Sequence, residues 1–426
     1  MTTTNPHSAE AEANEAAREH TLVQMTALAF SSYVGFGTTE VLGGNDISIA
    51  QSLRWTLDSL LPLEKQWELV WGPSTKRFAL TIFDENMAFV VQHREDPSRY
   101  ALVIRGTNPI SLANWVLEDF VVFHQVAWDR KNPQSARISL GTKLGLEVLK
   151  ELRPEAGLPG AGTSLREFLA GEVQKAAGGI NLALAGHSLG GALAPTFALW
   201  LDESRAGTST RAPWDPAQKT SLEVYSLAGP TPGDAQFAER YDARLGSKTR
   251  RIWNYYDVVP HAWELDSIKN IDKLYEPTLA SNGFLRGLAR LASLAAKNGN
   301  YRHLAGKGER RDGSIVPGFD FAWEMAYQHT LPYAAIALTS REIAGLRAKG
   351  PEETRPGAEK GGDAFAFMMQ KSLEGMMGAT RSPGPPVDRS IPKAPPKLSL
   401  SKLARMPASL LASLVPAKMH AAAWKD

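Results

Sequence analysis

Apolar residues recur along the central part of the chain with two different periods. Short continuous or alternating apolar runs predict buried strands at 78–83, 87–91, 100–104, 180–185, 222–227 and 251–256. Apolar residues spaced by three and four positions predict helices at 21–33, 142–152 and 164–177. Because strands and helices alternate from residue 100 to 256, the pattern predicts an α/β fold with a mainly parallel central sheet flanked by helices.

The two ends of the chain lack this periodicity. Residues 1–20 are polar and rich in Ala and Glu, which predicts a flexible N-terminal tail. Residues 349–426 are basic and contain a Pro-rich stretch, which predicts a disordered C-terminal extension. The folded domain is therefore assigned to residues 21–348.

The basic extension has a second interpretation. Leucines between 398 and 414 recur at roughly helical spacing, and a basic amphipathic segment can lie on an anionic membrane surface. Pro407 and Pro416 interrupt any long helix there, so a solubilising tail is the favoured interpretation.

Composition and charge narrow the classes of protein that remain. The chain is 43% hydrophobic and 22% charged with a formal net charge of +2, which fits a globular protein and gives no reason to expect a nucleic-acid partner. It has no cysteine, which excludes disulfides, thiolate metal sites and a cysteine nucleophile. We find no signal-peptide pattern and no apolar run near the ~18 residues of a membrane span, so a cytoplasmic location is expected. Peripheral membrane association and non-classical export remain alternatives.

The most informative motif is a Gly-x-Ser-x-Gly pentapeptide between a strand-like run and a helix-like segment; its residues are Gly186, His187, Ser188, Leu189 and Gly190. In a strand-turn-helix, Ser188 projects from a turn so tight that the two glycines avoid side-chain clashes. The N–H of Leu189 can then face a developing oxyanion. The context predicts a nucleophilic serine, and a chance match is the alternative.

A serine nucleophile requires a base and an acid later in the chain. Asp257 directly follows the predicted strand at 251–256, whereas its rivals do not follow so clear a strand; they are Asp202, Asp215, Asp234, Asp242 and Asp266. His303 and His329 are the credible bases, and order and context slightly favour His329, which we expect in a short loop between helical segments. Gly106 and Thr107 end the strand at 100–104 and are candidates for the second oxyanion donor.

These motifs together resemble the class 3 lipases, the fungal-type triacylglycerol lipase family of the α/β-hydrolase fold. The resemblance spans roughly residues 22–335 and rests on six segments: Arg105-Gly106-Thr107 with Asn114, Trp115 and Asp119; Gly186 to Leu193; Ser226 to Pro230 with Gly233 and Phe237; Asn254 to Pro260; Tyr301-Arg302-His303, which resembles a structural segment before the catalytic His; and His329 with Leu331 and Tyr333.

The resemblance implies a role for each matching residue. Ser188, Asp257 and His329 would form the catalytic triad, and the N–H groups of Thr107 and Leu189 would form the oxyanion hole. The segment 109–120 would be a lid with an apolar face that covers the site in water; its apolar residues are Ile110, Leu112, Trp115, Val116 and Leu117.

The chain departs from the family pattern at two places. The stretch at 138–142 lacks a His that the family often carries before the elbow. The region between Asp257 and His329 is long, and apolar and basic residues alternate within 284–297. That segment is either a second lipid-docking cap or an ordinary packed helix.

The sequence therefore predicts a serine hydrolase of lipid carboxylic esters that needs no metal or organic cofactor. Its expected partner is the lipid or ester substrate. A phospholipase A1 and a small-ester carboxylesterase are the main alternatives, and a non-catalytic lipid- or partner-binding protein of the same fold is a further one.

Overall fold

The computed structural model describes a large part of the chain up to residue 337. The described residues are 6–33, 46–63, 65–76, 86–106, 124–129, 132, 136–207, 212–281, 299–316, 318 and 321–337, with 286, 289, 290, 293, 296 and 297. The predicted strand at 78–83, the lid segment and the extension at 349–426 lie outside them, and so does most of 284–297.

A seven-stranded sheet forms the centre of the fold, in the order β1-β2-β3-β6-β7-β8-β9. Its strands are β1 (Trp67–Lys76), β2 (Asn86–His93), β3 (Arg99–Ile104), β6 (Asn181–His187), β7 (Ser221–Leu227), β8 (Thr249–Trp253) and β9 (Glu309–Arg310). The first three pair antiparallel, and every pair from β3 to β9 is parallel. Strands β4 (Gln125–Ala127) and β5 (Arg137–Ser139) form a separate antiparallel pair. The predicted α/β fold with a mainly parallel sheet is confirmed.

Helices cover both faces of the sheet. They are α1 (Pro6–Ser31), α2 (Asp46–Ser59), α3 (Leu140–Glu151), α4 (Leu165–Lys175), α5 (Leu189–Glu203), α6 (Ala235–Leu245), α7 (Leu265–Ile268) and α8 (Phe321–Ala337). Among the residues described, none of these helices is both long and apolar enough to cross a membrane.

Alternation along the strands separates two hydrophobic cores. Leu102 and Leu184 point to one face and pack with apolar residues of α3, α4, α5 and α6. Val103 and Ala185, their neighbours in sequence, point to the other face and pack with α1, α2 and α8. Successive side chains of a strand face opposite ways, so one buried strand supplies both cores.

Two expectations from the sequence were wrong. The boundary predicted at residue 20 lies inside α1, and Glu19 accepts hydrogen bonds from Arg250 at 2.6 Å and from Arg311 at 2.9 Å. His329 lies within the long helix α8 rather than in a short loop. A polar composition concealed the first helix, and Pro332 within an apolar segment concealed the second.

A serine hydroxyl on the sheet compensates for the hydrogen bond that a buried proline in α5 cannot make. Pro195 has no N–H, so it cannot bond the carbonyl of Gly191 four residues earlier. The Ser226 hydroxyl on β7 donates to that carbonyl at 2.6 Å. A side chain of the neighbouring strand thus replaces the missing helical bond in the first turns of α5.

We expect Ser226→Ala to lower the free energy of unfolding by about 1–3 kcal/mol, because a buried carbonyl is left without a donor. Urea unfolding followed by circular dichroism measures the loss. Ser221→Ala is the matched control, because Ser221 is exposed at the start of the same strand, and a change within about 0.5 kcal/mol is expected there. Equal stabilities of the two variants would contradict this role of the hydroxyl.

Candidate active site

Ser188 occupies the sharp turn between β6 and α5. Its backbone has φ 61° and ψ −129°, a strained conformation for a residue with a side chain. A Cβ on Gly186 would overlap the carbonyl of Gly190, and a Cβ on Gly190 would overlap the carbonyl of Ile104. The chain can therefore turn this closely only with glycine at both positions.

The start of α5 leaves polar groups available beside Ser188. Ser188 is the N-cap residue, yet its side chain makes no capping hydrogen bond. Leu189 is the first residue of the helix, and first-turn N–H groups have no acceptor within their own helix. The N-terminus of a 15-residue helix also favours negative charge at this point.

The end of β3 lies against the same turn. Ile104 pairs with Gly186 in parallel register, and a Cβ on Gly106 would lie 3.0 Å from the Cβ of Ser188. The register therefore brings the predicted oxyanion strand to the serine. Thr107 and the five apolar lid residues lie outside the described residues.

Asp257 is fully buried just after β8 and is surrounded by donors. Its carboxylate accepts from the Val259 N–H at 3.0 Å, from the Tyr333 hydroxyl at 2.8 Å, and from Nδ1 of His329 at 2.9 and 3.0 Å. Hydrogen bonds of this kind hold a carboxylate in a fixed orientation away from water. Burial, together with the Asp257 charge, raises the pKa of Tyr333, which therefore stays a donor.

The ring of His329 is held at one nitrogen and left unbonded at the other. Nδ1 faces Asp257, so it carries the proton, because a carboxylate only accepts. Nε2 is buried, and within the described part of the chain it has no hydrogen-bond partner. His187, the neighbour of Ser188, lies 4.7 Å from His329 between ring centroids. The unbonded nitrogen thus belongs to a ring beside the serine turn.

Pro332 makes the backbone around His329 irregular in the same way as Pro195 in α5. It lies within α8 and cannot bond the carbonyl of Gln328. Nδ2 of Asn254 donates to that carbonyl at 3.0 Å and to Oε1 of Gln328 at 2.7 Å. The Asn254 N–H in turn donates to the Tyr333 hydroxyl at 3.0 Å. Asn254 therefore ties the end of β8 to the helix that carries His329.

His303, the rival base, is kept away from Asp257. Its Nε2 lies 3.3 Å from Glu264, and its Nδ1 lies 3.5 Å from the Thr231 hydroxyl. Burial, helped by the Arg251 charge, lowers the pKa of His303 to about 3. His261, four residues after Asp257, directs Nε2 at the Tyr255 carbonyl at 2.7 Å.

Sequence reasoning did not single out several residues that complete this arrangement. The pattern marks Tyr33 only as the last position of the helix predicted at 21–33, although its hydroxyl lies 3.0 Å from Nδ1 of His187. Gln328 and Pro332 gave no signal beyond their place near His329. A proline inside an apolar helical pattern was the one available indication that a side chain must satisfy a free carbonyl. In the portion of the chain with described positions, no cluster of His, Asp or Glu could hold a metal ion.

Comparisons with known proteins agree with this geometry. Residues 101–266 match the family described as Lipase (class 3). The crystal structure of M37 lipase is similar with a TM-score of 0.66 and 29% identity, over 74% of this chain and 92% of that chain. Phospholipase A1-Igamma2, chloroplastic, from Arabidopsis thaliana is 37% identical over 81 residues, which are 19% of this chain and only 14% of that protein.

The matched family region includes the serine turn, Gly106 and Asp257, whereas His329 lies beyond it. The similarity to M37 lipase covers a larger share of the chain and includes the same α/β architecture. Residues 101–266 are therefore similar to the class 3 lipase family, and the chain is similar in fold to M37 lipase.

Proposed function

We propose that the protein hydrolyses carboxylic esters of lipids with Ser188 as nucleophile, His329 as general base and Asp257 as the orienting acid. One observation carries the proposal: Asp257 binds Nδ1 of His329, and the unbonded Nε2 belongs to a ring beside the strained Ser188 turn. The family match of residues 101–266 adds that lipid esters are the expected substrate class.

The proposed reaction follows from which nitrogen of the neutral His329 ring carries the proton. With the proton on Nδ1, the lone pair of Nε2 takes the proton of Ser188 as Oγ attacks the ester carbonyl carbon. The resulting imidazolium is stabilised by Asp257. It returns the proton to the leaving alcohol, and an acyl-enzyme remains on Ser188. Water, activated by the same nitrogen, then releases the fatty acid.

The tetrahedral intermediate carries a negative oxygen that needs donors. The Leu189 N–H at the start of α5 supplies one, and the N–H of Thr107 after β3 is the proposed second. Donors that are already oriented do not have to reorganise during the reaction, which makes this stabilisation strong in a buried site.

Replacement of triad residues tests the roles. With a medium-chain p-nitrophenyl ester, Ser188→Ala should lower kcat by about 10⁶-fold. His329→Ala should cause a comparable loss, and Asp257→Asn should lower kcat by about 10⁴-fold, because the His329 ring loses its orienting charge. The measurement is the initial rate at saturating ester, with folding checked by circular dichroism.

His303→Ala is the matched control for His329→Ala. It removes a buried histidine of the same domain that does not contact Asp257, so we expect it to keep kcat close to that of the wild type. Loss of activity in His303→Ala with retention in His329→Ala would reverse the assignment of the base. A folded wild type without any ester turnover would instead favour a lipid- or partner-binding protein.

A phospholipase A1 is the second candidate, because the plant relative bears that name. The 81 matched residues do not extend to the rest of that protein, so they leave the glycerolipid class open. We propose triacylglycerol as the preferred substrate, with phospholipid as the alternative.

Parallel assays separate the substrate classes. We expect faster hydrolysis of a triacylglycerol emulsion than of phosphatidylcholine vesicles at equal interfacial area, since family resemblance favours neutral lipid. Titration of the released fatty acid measures both rates. A higher rate on phosphatidylcholine would identify a phospholipase, and a preference for dissolved acetate esters over palmitate would identify a carboxylesterase.

The segment 109–120 is proposed as a lid over the site. An apolar face that covers the site in water should move to a lipid surface, which buries its Trp and Leu side chains. We therefore expect the rate to rise sharply when a short-chain triacylglycerol passes its solubility limit, and the rise to shrink in Trp115→Ser. A smooth saturation curve through that limit would contradict the gating role.

A further inference from the structure

His187, the residue before the nucleophile, has both ring nitrogens engaged in the buried interior. Nε2 lies 2.8 Å from the carbonyl oxygen of His329, and Nδ1 lies 3.0 Å from the hydroxyl of Tyr33. Only 2% of the residue is exposed. The ring therefore connects three elements: the serine turn after β6, the helix α8 and the end of α1.

The direction of these bonds can be derived from the chemistry of the partners. A carbonyl oxygen only accepts, so Nε2 of His187 carries the proton and donates to His329. Nδ1 is then the acceptor, and the Tyr33 hydroxyl donates to it. A Cβ on Gly106 would lie 2.8 Å from the Tyr33 oxygen, so the end of β3 lies against this hydroxyl. Two hydrogen bonds in series thus run from Tyr33 through the His187 ring to the backbone of His329.

The carbonyl of His329 lies where α8 is weakened. Pro332 leaves the preceding carbonyl, that of Gln328, without its helical bond, and Asn254 supplies the replacement. His187 binds the next carbonyl along, that of His329 itself. The two side chains thus hold consecutive peptide groups of the irregular segment from outside the helix.

The hydrogen bond from His187 to the His329 carbonyl also links Ser188 and His329, the two proposed reacting residues, by a short path. His187 is bonded to Ser188, and its ring donates to the main chain of His329. A shift of α8 relative to the serine turn would stretch this hydrogen bond directly. Misplacement of reacting groups by about 1 Å can cost about 10²-fold in rate, so such a constraint matters for proton transfer.

A neutral ring suits this position. Burial and the nearby His329 charge keep the pKa of His187 well below its usual value. His187 therefore donates a hydrogen bond without adding a positive charge beside the imidazolium that forms on His329 during acyl transfer. Lysine or arginine could donate as well, but each would repel that imidazolium.

We infer that His187 is a positioning residue for the general base, and that Tyr33 sets its orientation by donating to Nδ1. The inference rests on the proposed function, because it assigns His187 and Tyr33 to the catalytic geometry of His329. It makes the end of α1 part of that geometry. The competing explanation is that the His187 ring only fills space against Phe30, whose ring centroid lies 4.7 Å away.

Two amide substitutions test the two hydrogen bonds of the His187 ring separately. The Nε2 of glutamine reaches about as far from the backbone as Nε2 of histidine, so His187→Gln can still donate to the His329 carbonyl. Asparagine reaches only as far as Nδ1, so His187→Asn can still meet Tyr33 but not His329. We expect His187→Asn to lower kcat about 10–100-fold with KM nearly unchanged. The kcat of His187→Gln should be about tenfold higher than that of His187→Asn.

The measurement is kcat and KM on the p-nitrophenyl ester, with unfolding curves for every variant. Tyr33→Phe should lower kcat less than His187→Asn, because the donor to His329 remains. His93→Asn controls for the substitution: this histidine is also buried, but it ends β2 beside the start of β3, at the end of the strands opposite to the serine turn. Phe30→Leu controls for packing and should lower stability without the same fall in kcat.

The outcomes distinguish the inference from the proposed function. Equal kcat values for His187→Gln and His187→Asn, or losses that only follow stability, would overturn the positioning role while wild-type turnover upholds the hydrolase. A wild type without turnover would overturn the proposed function first. A changed KM with unchanged kcat would place His187 in substrate binding and would also contradict the inference.

Discussion

The tight passage from β6 into α5 is the constraint on which the rest of the site depends. The carbonyls of Ile104 and Gly190 lie where side chains would otherwise be, so the strand, the turn and the helix pack at backbone distance. This closeness forces Ser188 into a strained conformation and directs the helix N-terminus at the same point. Every other candidate site residue can contribute to the proposed chemistry only because the fold brings it to this turn.

Buried polar bonds keep the surrounding elements at that distance. Two helices of the site contain a proline, and each freed carbonyl receives a donor from the sheet side: Ser226 for α5 and Asn254 for α8. A buried carbonyl without a hydrogen-bond donor would lower the free energy of unfolding. The same irregularities expose main-chain oxygens to side chains, which is how His187 can bind the backbone of His329. Local breaks in helical bonding thus become points of attachment between layers.

The N-terminal helix illustrates how a polar segment can belong to a buried site. Residues before 20 carry charged and small side chains, and nothing in their periodicity predicts a partner. Glu19 nonetheless pairs with Arg250 and Arg311, and the far end of the same helix delivers Tyr33 to His187. Ion pairs and hydrogen bonds of this type depend on residues more than 150 positions away, so no local pattern encodes them.

The sequence by itself determined the α/β class of the fold and identified a candidate nucleophile. Strand and helix periodicities are local properties, and the glycines around Ser188 reflect a steric need within five residues; both could be read directly. Asp257 could be selected because it follows a clear strand. The tertiary structure decided which histidine meets that carboxylate, since His303 and His329 differ in partners rather than in local pattern. It also decided that α8 carries His329, and that Tyr33, His187 and Asn254 surround it, because hydrogen bonds between distant segments form only when the layers pack.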